Sequence, residues 1–191
     1  AVDGVPVAAV VSDGTVLRDG HAGRHVAHIP PPQAGSTWYM HRADVLGHLC
    51  KAAERAGVKM QLGQPVPPGQ IEADVIIAAD GAKSAWRAHV DGSAAPRFTG
   101  QVAWRALVPW ERRGGGNSAV LSMGRKAHLV TYPLRGGTVM NMVAIEERRD
   151  WTDEGWSLRG DVDEMRQRFA SFGGVAGEVL AQVKDVYQWA L

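Results

Sequence analysis

Between Gln101 and Ile145 the chain passes through four apolar stretches with no helical spacing between them. They are Gln101–Trp110, Ser118–Met123, Ala127–Leu134 and Thr138–Ile145. Short Gly-rich or charged breaks separate them, and Arg135-Gly136-Gly137 is the plainest turn. Successive strand-like runs joined this way predict an antiparallel sheet, because a parallel partner requires a crossover of a dozen residues or more. Beyond the sheet, Asp161 with Glu164 three residues on reads as a helix start, a variant of the capping box. Met165, Phe169 and Phe172 then share one side, and Val175–Val183 predicts another short helix.

Upstream the pattern differs. Val45, Leu46, Leu49, Ala52, Ala53 and Ala56 recur at helical spacing from Arg42 to Ala56, and Gly57 fits the position just past the helix end. Val58–Leu62 and Val75–Ala79 read as short strands, the second apolar enough to be buried on both faces of a parallel sheet. Val5–Val11 and Thr15–Leu17 flank Ser12-Asp13-Gly14, which predicts a hairpin. Ile29-Pro30-Pro31-Pro32 breaks regular structure. The expected class is mixed α/β: an α/β part followed by a β-rich part.

Composition excludes more than it assigns. Lys+Arg is 21 and Asp+Glu is 20, a net charge of +1, which gives no reason to expect nucleic acid or an anionic membrane surface as partner. No apolar run approaches the ~20 residues of a membrane span. The single cysteine, Cys50, rules out an internal disulfide and fits a reducing cytoplasm. The chain starts at Ala1 and stops in the apolar VYQWAL; termini favour exposed polar segments, so the expectation is an internal piece of a longer protein.

Two places carry chemistry. In ADVIIAADGAKSAWR (Ala73–Arg87), Asp80 and Gly81 follow an apolar strand, where open α/β sheets bind ligands. Asp80 could accept hydrogen bonds from ribose hydroxyls, and Gly81 removes a Cβ from the path of a ligand. Ser84 could cap the following helix, and Arg87 could pair with Asp80 or with a phosphate. The alternative is a plain strand–turn–helix; Ser84 and Arg87 at these offsets favour the ligand. The second place is the run Ala127–Leu134, where His128, Val130 and Tyr132 alternate onto one face. An imidazole, which titrates near neutrality, and a phenol would then address one small aromatic ligand. A half-exposed strand with a satisfied histidine and a packed tyrosine is the plainer alternative. His21, His25 and His28 lack ligand partners beyond Asp19, so no metal site is expected.

Asp-Gly-x-x-Ser-x-x-Arg after an apolar strand resembles the DG motif of class A FAD-dependent aromatic monooxygenases. YMHRADVLGHL (Tyr39–Leu49) resembles the helix start whose arginine contacts the flavin. FTGQVAWRALVP (Phe98–Pro109) resembles the strand that enters the substrate domain, and HLVTYPLRGGTVMNMVAI (His128–Ile145) resembles one wall of the substrate pocket. The nearest branch is that of salicylate hydroxylase, 3-hydroxybenzoate 6-hydroxylase and 6-hydroxynicotinate monooxygenase. The family's opening G-x-G-x-x-G turn and its later Gly-Asp motif are absent. Gly114-Gly115-Gly116-Asn117-Ser118-Ala119 follows charged residues and reads as a loop.

The resemblance implies part of a Rossmann-like FAD/NAD(P)-binding domain interleaved with a mostly antiparallel substrate domain. Residues 1–37 would join the substrate-domain sheet, 38–97 would form the partial FAD-binding part, and 98–191 the β-rich substrate part ending in helices. It implies FAD as cofactor, NADH or NADPH as co-substrate, and O2-dependent hydroxylation of a phenolic or hydroxypyridine acid; a homodimer is compatible with it. His128 is implied as the base and Tyr132 as the substrate-positioning donor, with Arg42, Val66, Asp80 and Gly81 as cofactor contacts. Two rival expectations stand beside it: an epoxidase or reductase of the same fold, and a non-catalytic fragment or substrate-binding module unable to hold FAD alone.

Overall fold

The computed structural model describes residues 8–92, 97–111, 116–149 and 158–191. Its frame is a seven-stranded sheet. The strands expected between residues 101 and 145 form as β5 (Gln101–Pro109), β6 (Ala119–Gly124), β7 (Ala127–Leu134) and β8 (Val139–Glu147), with Arg135–Gly137 as a 3₁₀ turn. Ahead of them lie β1 (Val10–Val11), β2 (Thr15–Asp19), β3 (His25–Ile29) and β4 (Trp38–Tyr39), and at the end β9 (Tyr187–Ala190). The order across the large sheet is β3-β2-β6-β7-β8-β5-β9, while β1 pairs with β4 apart from it. All neighbours in the large sheet run antiparallel except β2 and β6.

The helices are α1 (Arg42–Arg55), α2 (Arg87–Asp91), α3 (Val162–Arg168) and α4 (Gly174–Gln182). Asp161 caps α3 as its spacing predicts, its carboxylate accepting from the backbone of Asp163 and Glu164 at 2.7 and 2.9 Å. Helices α3 and α4 cover one face of the sheet. Met165, Phe169 and Val179 meet Trp104, Leu129 and Met142 in a single core, and all six are fully buried. The indole of Trp104 donates to the buried carboxylate of Glu146 at 3.1 Å, and Arg148 and Arg168 approach that carboxylate at 3.4 and 3.8 Å. A charge this deep is tolerated because it is paired and hydrogen-bonded.

Three expectations upstream are corrected. The Ser12-Asp13-Gly14 turn does not close a hairpin: β1 and β2 lie in different sheets, and β2 turns back through residues 20–24 to pair with β3. The Ser12 hydroxyl accepts from Gly14 N at 3.0 Å while Ser12 N donates to Thr37 O, so the turn hands the chain from one sheet to the other. Gly14 sits at φ +110° with Ile29 O 2.3 Å from where a Cβ would stand, so only glycine fits. Val5–Val7 of that expected strand, and Gly114-Gly115 of the expected loop, lie outside the described residues. Neither Val58–Leu62 nor Val75–Ala79 forms a strand. Among the described residues nothing pairs with them, and a strand of a parallel sheet persists only between neighbours. Val75 and Ile77 stand 76 % and 85 % exposed. The parallel α/β unit anticipated there is therefore not formed among the described residues.

Phe169→Ala should cost about 3–5 kcal/mol through lost burial and the cavity it leaves, whereas Leu62→Ala, 83 % exposed in the structure, should stay within about 0.5 kcal/mol. Urea unfolding midpoints check both. Equal effects would contradict a core seated between the sheet and α3–α4.

Candidate functional site

Burial of one sheet face sends alternate residues to the other. Register fixes which they are. Tyr132 stands opposite Asn141, Val130 opposite Val143 and His128 opposite Ile145 across β7 and β8; Arg105 and Leu107 of β5 face Val143 and Asn141. His128, Val130 and Tyr132 thus share the face away from the core, as their alternation predicts, while Leu129 and Thr131 between them are buried.

His128 and Tyr132 open onto different hollows. His128 is half-buried in a cleft of about 510 Å³ with Leu121, Met123, Val130 and Ile145. No hydrogen bond or ion pair ties its imidazole to another described residue. Tyr132, about 13 Å further along the strand at ~3.3 Å per residue, lines a smaller pocket of about 140 Å³ with Arg42, Arg105, Leu107 and Asn141. Arg42 and Tyr132 are therefore brought together, and His128 lies on the same face beyond Val130.

Arg42 reaches that pocket because α1 is held against the sheet at its first turn. His41 caps the helix, its Nδ1 accepting from Ala43 N at 3.2 Å. Arg135 in the β7–β8 turn donates through Nε and Nη2 to the two oxygens of Asp44 at 3.0 and 2.9 Å. This fork holds the Asp44 carboxyl below its usual range and raises the Arg135 guanidinium. Just before the helix, the Tyr39 ring packs 5.0 Å from that of Tyr132. The Tyr39 hydroxyl meets Ser12 Oγ at 2.6 Å, donates to Gly14 O at 3.2 Å and accepts from Ala119 N at 3.2 Å. No residue of α1 is buried, so these polar and aromatic ties at its start do what burial does for α3 and α4.

Asp80 and Gly81 lie elsewhere, in an open cleft of about 700 Å³ with Ser84, Trp86, Arg87 and His89. Asp80 Oδ2 accepts from Ala85 N at 2.9 Å. The Ser84 hydroxyl chiefly, with backbone amides of the same turn, keeps this carboxyl below its usual range. Ser84 Oγ accepts from Arg87 N at 3.1 Å, within the turn before α2, but the N-cap position of that helix is Trp86 and carries no side-chain cap. Arg87 does not pair with Asp80: its guanidinium donates to Ala82 O and Gly81 O at 2.9 and 3.4 Å. Gly81 has φ +80°, yet a Cβ there would meet nothing within 4 Å. Backbone conformation, with open space beyond it, accounts for the glycine. Val66 contributes its carbonyl, which accepts from Trp86 Nε1 at 2.8 Å and ties its loop to the turn.

Two of these groups could hold a cofactor. Asp80 keeps an exposed carboxylate able to accept from hydroxyls, and Arg42 brings a cation to a helix start that already favours anions. Among the described residues no group of three His, Cys, Asp or Glu side chains could hold a metal ion. Two of the clustered histidines serve the backbone instead: His21 Nδ1 lies 2.9 Å from Ser171 O and His28 Nε2 3.0 Å from Asp13 O. No helix among the described residues is long and apolar enough to cross a membrane.

Sequence reasoning missed Tyr39, Arg105 and Asn141. Arg105 gave a signal, a lone cation inside the apolar run VAWRALV. Asn141 gave none, because its place beside Tyr132 follows only from the register.

No family model matches the chain. It is 31% identical over 183 residues to the FAD-dependent monooxygenase OpS4 of Beauveria bassiana, an alignment covering 81% of this chain and 42% of that protein. It is 30% identical over 209 residues to 3-hydroxybenzoate 6-hydroxylase of Polaromonas naphthalenivorans, covering 95% and 51%. Among solved structures, a substrate complex of salicylate hydroxylase superposes with a TM-score of 0.74 at 27% identity, over 97% of this chain and 55% of that one. The chain spans about half the length of the curated relatives it matches.

Arg135→Gln should lower the melting temperature slightly near neutral pH by releasing α1. The Asp44 pKa is depressed in the fold, so its contribution is fully present above the unfolded value of about 3.9. It is lost as pH falls through the lower folded value. The difference between wild type and variant should therefore vanish in acid. Thermal scans across pH check it, and a difference that persists in acid would show that the carboxylate is not the partner that matters.

Proposed function

The chain belongs with the class A FAD-dependent aromatic monooxygenases, matching about half of their length, and on that premise we propose that its open sheet face is the substrate wall of an FAD-dependent hydroxylase acting on a small phenolic or hydroxypyridine acid. The observation that carries this reading is the placement of His128 and Tyr132 on one open face, with Arg42 brought beside Tyr132. Bound FAD would supply the oxygen chemistry, with NADH or NADPH as co-substrate; this chain's residues bind, orient and move a proton.

Arg42 and Asp80 are the proposed cofactor contacts, Arg42 toward an anionic group and Asp80 toward hydroxyls; Gly81 leaves room beside Asp80, and Val66 fixes the neighbouring loop. Tyr132 positions the substrate through its phenol. His128 Nδ1 or Nε2 accepts the proton of the substrate hydroxyl, because a phenolate ring is more electron-rich than a phenol and is attacked faster by an electrophile. The half-buried, unpaired imidazole suits this task, since no neighbour competes for its lone pair. Leu121, Met123, Val130 and Ile145 give its cleft apolar walls, with Lys126, Glu146 and Glu147 at its charged side.

Flavin retention after gel filtration, with NAD(P)H oxidation stimulated by a phenolic acid and one oxygen atom added to it, tests the reading. Retained flavin with no added oxygen would point to a reductase of the same fold; no retained flavin would point to a binding module. His128→Ala should lower turnover most at low pH, by roughly 10²-fold or more for loss of a general base. The deficit should shrink as pH approaches the phenol pKa of about 10. A pH–rate profile identical to wild type would remove His128 from the role.

A further inference from the structure

Tyr39 is held at both ends. Its backbone sits in β4, opposite Val10 of β1, while its hydroxyl reaches across to the head of the parallel β2–β6 pair. There it accepts from Ala119 N and donates to Gly14 O, each at 3.2 Å, and lies 2.6 Å from Ser12 Oγ. Ser12 Oγ in turn accepts from Gly14 N at 3.0 Å, which leaves its own proton for Tyr39. Ser12 and Ala119 are both buried. A hydroxyl has one proton and two lone pairs, so the bonding capacity of this phenol is used up inside the protein. Tyr39 has no proton to offer a ligand.

What Tyr39 does present is its ring. The ring centre lies 5.0 Å from that of Tyr132 with the two planes 34° apart, within the separation at which aromatic pairs attract. Tyr132 borders the pocket that it shares with Arg42. The ring torsion of a tyrosine has a broad minimum, so the neighbour packed on the ring decides its plane. We propose that Tyr39 is a positioning residue: its ring, fixed by the tied hydroxyl, sets the plane of the Tyr132 ring and so the direction of the Tyr132 hydroxyl at the pocket. The use of that hydroxyl on substrate rests on the function proposed above. The two phenols divide the work. One hydroxyl holds its ring still, and the other stands at the pocket. Ser12, 27 residues upstream, belongs to the same support, because its Oγ completes the network at the Tyr39 hydroxyl.

The test is a double-mutant cycle on the purified protein, read by calorimetry with 3-hydroxybenzoate as the probe. Tyr39→Leu should weaken binding about tenfold when Tyr132 is present, a coupling ordinary for side chains in contact, and by less than about twofold in a Tyr132→Phe background. Tyr39→Phe keeps the ring but loses the hydroxyl ties, and should fall between. Equal losses in both backgrounds would mean that Tyr39 only supports the fold, and would overturn the proposal. Without ligand, the Tyr132 ring signals in NMR spectra of tyrosine-labelled protein should move in Tyr39→Phe and in Ser12→Ala; unmoved signals would overturn it as well. Should Tyr39→Leu lose its native circular dichroism, Tyr39→Phe takes its place in the cycle. The two proposals fail separately. Oxygenation of 3-hydroxybenzoate with no coupling between Tyr39 and Tyr132 removes the positioning role alone. Moved ring signals without binding or oxygenation of the acid remove the hydroxylase reading and leave Tyr39 as the residue that sets the Tyr132 ring.

Discussion

One-sided burial of the large sheet governs everything else in this molecule. Trp104, Leu129 and Met142 are committed to the core with Met165, Phe169 and Val179, and side chains along a strand alternate. Their commitment therefore sends Arg105, Asn141, Val130, Tyr132 and His128 to the other face. A slip of one residue in the β7–β8 register would bury His128 and Tyr132 and expose Leu129. The make-up of the open face is thus specified by hydrophobic packing on the opposite side.

The second element of the site arrives by a different force. Helix α1 buries no residue, and its place at the sheet rests on the Asp44–Arg135 fork and on Tyr39, whose ring packs on Tyr132 and whose hydroxyl gathers Ser12, Gly14 and Ala119. Arg42 is two residues from Asp44, so the same fork that docks the helix sets the cation beside Tyr132. Ion pairs this exposed are weak and screened by salt. A junction held by them is easier to shift than the core behind the sheet.

Legibility in the sequence followed the source of each element's stability. β5 to β8, the Arg135–Gly137 turn and the two C-terminal helices were readable because their patterns are enforced by one local core. The helix Arg42–Arg55 was readable because propensity and the glycine beyond it act locally; Gly57 N and Val58 N close it on Glu54 O and Ala53 O. Val75–Ala79 misled because its apolar character reports a need for strand partners, and the described residues hold none beside it. The Ser12-Asp13-Gly14 turn misled because a turn signal does not say which sheet receives the chain. The shared open face of His128 and Tyr132 was legible from alternation. The hydrogen bonds that make the Asp80–Arg87 turn self-contained, and the placement of Arg105 and Asn141 in one pocket with Tyr132, depend on three-dimensional neighbours that spacing does not encode.

The most direct test of the open face as the substrate wall is amide chemical-shift mapping of the protein during titration with a hydroxybenzoate. The account predicts shifts concentrated on β5, β7 and β8 around Arg105, Tyr132, His128 and Asn141, with α3 and α4 unmoved. Shifts confined to the Asp80–Asp91 cleft, or none along β7 at saturating ligand, would contradict it.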